Sequence, residues 1–176
     1  MKVVIQPDMP RHMRREEIGN IQGLIDLYEF VKPRTVAEIG CYQGESSEIA
    51  AQFSTVLVCV DNWGKGFEGG EGGFDKRMKK FNHINKVKLT SKQASENFPN
   101  NLFDLVYIDA MHDFENVIAD IKCWLPKVKK GGYIGGHDFD SNHPEVIEAV
   151  MKSLNKKKKY GKIKTFSDSS WLVKKK

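Results

Sequence analysis

Apolar positions follow two different periods along the chain. Short apolar runs predict strands in five segments, namely the stretch that begins at Thr35, Val56–Val60, Lys86–Thr90, Leu105–Ile108 and Tyr133–Gly136. Between them, apolar residues recur at helical spacing, and the predicted helices are Arg15–Val31, one opening at Glu45, one from Phe74 to about Asn85, one after His112 and one from Pro144. Strands that alternate with helices indicate an α/β fold with a mostly parallel sheet. Lys162–Phe166 and Trp171–Lys175 add a predicted terminal hairpin.

The length of 176 residues fits one domain, which we place at residues 15–176, with residues 1–14 as a short extended arm. We see no long apolar run and no signal peptide, so we expect a soluble, cytoplasmic protein that does not bind membranes. The three cysteines lack CxxC spacing and read as packing residues, not as a zinc or disulfide framework.

The net charge of +5 is concentrated at the end of the chain. The lysines from Lys152 onward outweigh the one acid among them, Asp168, so that residues 1–151 are net negative. A lysine-rich end can contact nucleic acid or another acidic surface. A solvated helix terminus followed by a frayed chain end explains the same pattern, and both interpretations stay open.

One segment of the chain is rich in glycine. Six of the residues from Gly64 to Gly73 are glycine, and this composition predicts a flexible segment that packs no core. A mobile lid and a tolerated loop insertion fit it equally.

The turn after the first strand has the pattern Glu38-x-Gly40-x-x-x-Gly44. Glycine permits a sharp bend and lets a ligand approach the backbone closely. A parallel sheet holds nucleotide-like ligands at such a strand–turn–helix junction. The acidic Glu38 disfavours a pyrophosphate and favours the cationic amino-acid portion of a ligand; a purely structural turn is the alternative.

The second strand ends in Asp61, about twenty residues beyond this turn, where an acid can accept both hydroxyls of a ribose. Asn62 and Trp63 follow directly, and Trp63 is placed to stack on an adenine. Glu38, Gly40 and Gly44, together with Asp61, resemble the cofactor motifs of class I S-adenosylmethionine-dependent methyltransferases.

The resemblance implies that the backbone around Gly40 holds the methionine portion of S-adenosylmethionine and that Asp61 binds its ribose. It also implies a Rossmann-like seven-stranded sheet in the order 3-2-1-4-5-7-6, with helices on both faces and the last strand antiparallel beside the fifth. The loop after the third strand lies against adenine in that family, which makes Ser91 and Gln93 candidate cofactor contacts, although the usual Gly-Asp pair is absent here.

Acids and histidines follow the fourth and fifth strands. Asp109 and His112 come after the fourth strand, and His137 and Asp138 end the fifth. Converging carboxylates suit Mg²⁺ or Mn²⁺, which can lower the pKa of a substrate hydroxyl while His112 accepts its proton. The alternative is that the acids cap helices and the histidines make loop hydrogen bonds.

The segments Ile108-Asp-x-x-His-x-Phe-Glu115 and Gly131–Asp138 resemble a metal-dependent branch of small-molecule O-methyltransferases, related to macrolide-sugar and cephalosporin-biosynthesis proteins. The resemblance covers about residues 33–151. It implies metal binding by Asp109, His137 and Asp138, a base at His112 and a cofactor contact at Asp109. His137 departs from the branch, which has an acid there.

The expected function is therefore methyl transfer from S-adenosylmethionine to a hydroxyl of a small, sugar-like acceptor, assisted by Mg²⁺ or Mn²⁺. One alternative is an RNA or protein methyltransferase that uses the lysine-rich tail. Another is an inactive cofactor-binding or assembly subunit. A homo-oligomer is left open, since a second subunit could complete acceptor recognition.

Overall fold

A computed structural model describes residues 18–64, 69–155 and 158–176. The helices are α1 (Ile18–Val31), α2 (Glu45–Phe53), α3 (Gly70–Met78), α4 (Ser91–Glu96), α5 (Phe114–Trp124) and α6 (Pro144–Leu154). The strands are β1 (Thr35–Ile39), β2 (Val56–Asp61), β3 (Ile84–Lys88), β4 (Phe103–Ile108), β5 (Val128–Gly136), β6 (Lys164–Thr165) and β7 (Trp171–Lys174). The predicted arm, residues 1–14, lies outside the described residues and stays a prediction, as does the single domain.

One seven-stranded sheet has the order β3-β2-β1-β4-β5-β7-β6, which confirms the expected topology. The first five strands pair in parallel, and β7 pairs antiparallel with both β5 and β6. In the described part of the chain, no helix is long and apolar enough to cross a membrane.

Two apolar cores cover the two faces of the sheet. Successive residues of a strand point to opposite faces, so Ala37 and Ile39 belong to the core that contains α5 and α6 residues, whereas Val36 belongs to the core that contains α1 and α2 residues. Burial on both faces explains why the central strands read as continuous apolar runs instead of alternating patterns.

Several predicted boundaries were wrong. Strand β3 is Ile84–Lys88, two residues earlier than expected, and it pairs only with β2 at the edge of the sheet. Strand β5 begins at Val128 instead of Tyr133, with an irregular register opposite Phe103 and Leu105. The predicted hairpin is present but shorter.

The glycine-rich segment was also predicted incorrectly in part. Its second half is helical, because α3 begins at Gly70 and ends at Met78, before the expected end near Asn85. A side-chain carbon added at Gly70 would lie 2.7 Å from Cδ2 of Tyr42, so glycine is needed where the helix packs on the turn after β1. Residues 65–68 lie outside the described part, and the lid stays a prediction.

The segment after β3, expected to be a loop, is helix α4. Thr90 and Gln93 form a capping box: the Thr90 side chain accepts from the Gln93 backbone N–H, and the Gln93 side chain accepts from the Thr90 backbone N–H.

Candidate functional site

The turn after β1 needs glycine for two reasons. Gly40 has φ 86°, in the left-handed region, and a side-chain carbon there would lie 2.0 Å from the carbonyl oxygen of Asp109. Its N–H donates to the Val60 carbonyl at 2.9 Å. Gly44 also has a left-handed φ, of 82°, at the N-cap of α2. The turn is therefore pressed directly against the backbone that follows β4.

Asp61, at the end of β2, fixes this turn. Its Oδ2 accepts the backbone N–H groups of Cys41 and Tyr42, both at 2.9 Å, and its Oδ1 accepts that of Trp63 at 2.7 Å. A carboxylate offers about four lone-pair sites. About one of these sites then remains open, and the predicted binding of the ribose hydroxyls by Asp61 stays a prediction.

Glu38 is fully buried beneath the turn. Its Oε2 accepts a hydrogen bond from Ser47 Oγ, and among the described residues its Oε1 has no hydrogen-bond partner. Burial raises the pKa of Glu38 from 4.5 to about 7, against the opposing hydrogen bonds of Ser46 and Ser47. A buried acceptor without a partner can receive a hydrogen bond from an ammonium group of a ligand.

The residues expected near adenine and ribose are largely occupied by the protein itself. The Trp63 ring is buried, its centroid lies 5.1 Å from that of Phe74, and Lys86 Nζ lies 4.8 Å from its centroid. This packing does not favour the predicted stacking on adenine. Asn62 Oδ1 accepts the Gly64 N–H at 3.0 Å.

Ser91 and Gln93 have internal partners as well. Ser91 Oγ donates to Asp120 Oδ1 and accepts the Trp124 indole N–H at 2.9 Å, which ties α4 to α5. Gln93 belongs to the capping box of α4. The cofactor contacts of both residues stay predictions, and their observed role is structural.

Four side chains predicted for the chemistry meet beyond the carboxyl ends of β4 and β5. We call Asp109, His112, His137 and Asp138 the histidine–aspartate cluster. Asp138 is its centre: its Oδ2 lies 3.0 Å from His112 Nε2, and its Oδ1 lies 2.9 Å from His137 Nδ1. His112 Nε2 is also 3.6 Å from Asp109 Oδ1. The parallel strands bring these residues together, because their carboxyl ends share one edge of the sheet.

The cluster is strongly coupled electrostatically. Hydrogen bonds to Asp109 and Asp138 raise the pKa of His112 to about 10. Burial lowers the pKa of His137, but the Asp138 hydrogen bond and the nearby negative charges raise it overall to about 9. Burial would raise the pKa of Asp138, yet the two imidazoles lower it well below its usual range. Without a ligand, His112 and His137 are therefore both protonated at neutral pH.

A cation could replace these protons. One ligand atom each from Asp109, His137 and Asp138 lies within 4.8 Å of the others. Asp138 has a φ of 61°, a left-handed conformation that is uncommon for a residue other than glycine. Two carboxylates and an imidazole are a reasonable donor set for a divalent ion, and such ions displace protons from their ligands. The donors thus fit the predicted metal.

His143 was missed as a site residue. Its Nδ1 lies 3.5 Å from Asp138 Oδ1 and 3.1 Å from Asp140 Oδ1, and its ring centroid is 5.4 Å from that of His112. A third histidine shortly after the fifth strand was the available signal.

Comparison with known proteins decides the family. A family model described as a methyltransferase domain matches residues 37–139, more than half of the chain and the whole region from β1 to the cluster. The chain belongs to this methyltransferase domain family. The match includes every predicted cofactor, metal and catalytic residue, so these residues lie in the part of the chain that defines the family.

Individual relatives are more distant. The methyltransferase domain is 28% identical over 129 residues to an uncharacterized protein of Acanthamoeba polyphaga mimivirus, a match over 67% of this chain and 58% of that protein. The chain thus spans little more than half of that relative's length.

Solved structures share the fold. An O-methyltransferase from Bacillus cereus in complex with SAH has a TM-score of 0.66 and 18% identity, over 96% of this chain and 85% of that one. The N-methyltransferase NodS from Bradyrhizobium japonicum, in complex with S-adenosyl-L-homocysteine, has a TM-score of 0.67 and 18% identity, over 94% and 90%. An enzyme that methylates oxygen and an enzyme that methylates nitrogen thus have the same architecture.

Proposed function

We propose that the protein transfers the methyl group of S-adenosylmethionine to a hydroxyl oxygen of a small polar, sugar-like acceptor, with a divalent cation at Asp109, His137 and Asp138. The observation that carries this proposal is the meeting of the histidine–aspartate cluster with the glycine turn. Only a glycine fits at position 40, because a side-chain carbon there would collide with the Asp109 carbonyl. A ligand bound in the turn and an acceptor bound at the cluster would therefore be neighbours.

The residues of the turn fit the cofactor. Glu38 Oε1 is a buried acceptor without a partner in the described structure and suits the ammonium of the methionine portion. Asp61 retains one acceptor position for the ribose. The S-adenosylhomocysteine bound in similar solved structures, which is the demethylated form of the cofactor, supports the same assignment. S-adenosylmethionine, when bound, supplies an electrophilic methyl group on its sulfur.

In this proposal, His112 accepts the proton of the acceptor hydroxyl. Its imidazole is partly exposed, at 43% of the side chain, and lies between Asp109 and Asp138. While it bonds both carboxylates its pKa remains near 10, and a protonated imidazole is not a base. A cation held by the two carboxylates would weaken this effect and would also lower the pKa of a bound hydroxyl.

The first test is calorimetric titration with S-adenosylmethionine and S-adenosylhomocysteine, each with and without Mg²⁺. We expect binding of both, and loss of binding in Asp61→Ala. Circular dichroism must accompany this variant, because Asp61 also holds the turn. Absence of binding to either compound under every metal condition would refute the cofactor assignment.

The second test measures methyl transfer to hydroxylated acceptors with and without a chelator. We expect the chelator to reduce transfer and Mg²⁺ to restore it, and Asp109→Asn to behave like the chelated protein. Asp113→Asn is the matched control, because this neighbouring carboxylate caps α5 and lies outside the cluster. Transfer that ignores the chelator, with Asp109→Asn fully active, would contradict the metal.

Methyl transfer to RNA is a second candidate, supported by one feature. A cavity of about 710 Å³ lies near the amino end of β5, and six of its lining residues are lysines: Lys122, Lys130, Lys158, Lys159, Lys175 and Lys176. Clustered lysines attract a phosphate backbone. The cavity is remote from the cluster, which follows the carboxyl end of β5. Transfer that falls steeply with salt and requires these lysines would favour RNA over the small acceptor.

A further inference from the structure

His112, Asp138 and His143 offer a second set of metal ligands beside the first. One ligand atom from each lies within 4.8 Å of the others. This set contains two imidazoles and one carboxylate, whereas the Asp109–His137–Asp138 set contains one imidazole and two carboxylates. The two sets share only Asp138. They therefore differ in the chemistry of the ion that they favour.

Nitrogen donors select a different class of cation. Imidazole suits zinc, copper, nickel and iron, while carboxylate and water suit magnesium and manganese. Two histidines and one carboxylate, with a further position open, match the ligand count of a catalytic-type zinc site. We propose that His112, Asp138 and His143 form a second cation position, which binds Zn²⁺ or a similar first-row transition ion.

The side chains can reach such an ion. Metal–ligand bonds of about 2.0–2.1 Å in a tetrahedral site place ligands roughly 3.3 Å apart, so the set has to contract by at most about 1.5 Å. The side chains of His112 and His143 are 43% and 35% exposed, which leaves space for this movement. Asp138 is the anchor, with its side chain only 11% exposed.

The surroundings of His143 support a ligand role. Asp140 Oδ1 lies 3.1 Å from His143 Nδ1, and Asp140 Oδ2 accepts from Ser169 Oγ at 2.7 Å. The same Nδ1 atom lies 3.5 Å from Asp138 Oδ1, so the contact with Asp140 holds the imidazole beside the central carboxylate of the set. His143 is the N-cap residue of α6, yet its side chain makes no capping hydrogen bond there. Its observed polar contacts are thus directed to the two aspartates.

Occupation of this position has a consequence for catalysis, which rests on the function proposed above. His112 cannot accept a proton while its nitrogen lone pair is coordinated to an ion. Zn²⁺ in the second position would therefore inhibit methyl transfer, whereas an ion in the first position leaves His112 available. The binding itself does not depend on the proposed function.

Competition with a chromophoric chelator measures the Zn²⁺ affinity of the metal-free protein, without cofactor or acceptor. We expect His143→Ala to weaken Zn²⁺ binding at least tenfold and His137→Ala to change it less than threefold. His83→Ala is the control, because His83 precedes β3 at the opposite edge of the sheet and contacts the Ala51 carbonyl. Co²⁺ should give the intense visible absorption of a tetrahedral site in the wild type and lose it in His143→Ala.

Three results of the binding experiment would overturn the proposal. Equal affinity in the wild type and His143→Ala, an equal loss in His137→Ala, or no Zn²⁺ binding by the wild type would each exclude a separate second position. If His143→Ala does not fold, as judged by circular dichroism, the partly exposed His112→Ala replaces it with the same expected loss. In the transferase assay, Zn²⁺ should inhibit the wild type more strongly than His143→Ala. Failure of this last comparison alone would concern the role of His112, not the site.

Discussion

Glu38 makes the stability of the protein depend on pH in a way that one substitution can isolate. The carboxyl group is fully buried, and burial raises its pKa from 4.5 to about 7. Because the folded-state pKa is raised, folding is favoured below the unfolded-state pKa, and this stability is lost as the pH rises through about 7. The variant Glu38→Gln keeps the shape and cannot ionise.

The magnitude follows from the pKa difference. The rise of the pKa from 4.5 to about 7 corresponds to about 3 kcal/mol, because a tenfold change in an ionisation constant is worth about 1.4 kcal/mol. Part of this penalty is already present at pH 5, where the unfolded chain is largely ionised, so about 2.5 kcal/mol should develop between pH 5 and pH 8. The substitution also changes hydrogen bonding with Ser47, but that effect does not depend on pH.

Urea unfolding followed by tryptophan fluorescence, at pH 5 and at pH 8, measures the difference. We expect the free energy of unfolding of Glu38→Gln, relative to that of the wild type, to be about 2–3 kcal/mol higher at pH 8 than at pH 5, because only the wild type is destabilised as the pH rises. Other titrating groups are common to both proteins and cancel. An equal effect of the substitution at both pH values would refute the reasoning, because Glu38 would then have an ordinary pKa.

Three further predictions concern other parts of the structure. Gly40→Ala should lose several kcal/mol of stability and cofactor binding, because its side chain meets the Asp109 backbone, whereas Gly131→Ala, with a similar φ of 84° and open space, should lose only about 1–2 kcal/mol in thermal unfolding. Arg77→Met should lose about 1.5–3 kcal/mol of stability, since the buried Glu48 loses its bond of 2.7 Å to Arg77 but keeps its contact with Lys80; adding Glu48→Gln should recover part of this loss in a double-mutant cycle. Asp138→Asn should lower the pKa values of the two imidazoles bonded to it, observed by NMR titration of the metal-free protein, and unchanged values would contradict the assigned hydrogen bonds.

The central strands were predictable because burial on both faces gives an unmistakable pattern. Strands β1 and β4 lie where the apolar runs are, and Asp109 follows β4 at the expected edge of the sheet. Edge strand β3 has neighbours on one side only, so Ile84–Lys88 alternates weakly and its position was wrong by two residues. The helical start at Gly70 contradicts the intrinsic preference of glycine, and only the contact with Tyr42 explains it.

The candidate site, too, could be predicted only in part from the sequence. Strand topology predicted that Asp109, His112, His137 and Asp138 would meet, because parallel strands carry their following loops to one edge. Side-chain packing decided the rest: it buried the Trp63 ring beside Phe74, and the loop before α6 placed His143 near Asp138. Such contacts depend on loop conformations that no periodic pattern encodes.

The three backbone N–H groups bonded to Asp61 also bear on how fast a ligand can bind. A turn that is already held by a carboxylate and by two left-handed glycines does not have to be ordered when the ligand arrives, so little conformational entropy is lost on association. Asp61 thus connects the loops after β1 and β2 through hydrogen bonds before any ligand binds. Affinity at this pocket would be governed mainly by the rate at which the ligand leaves, not by the rate at which the pocket forms.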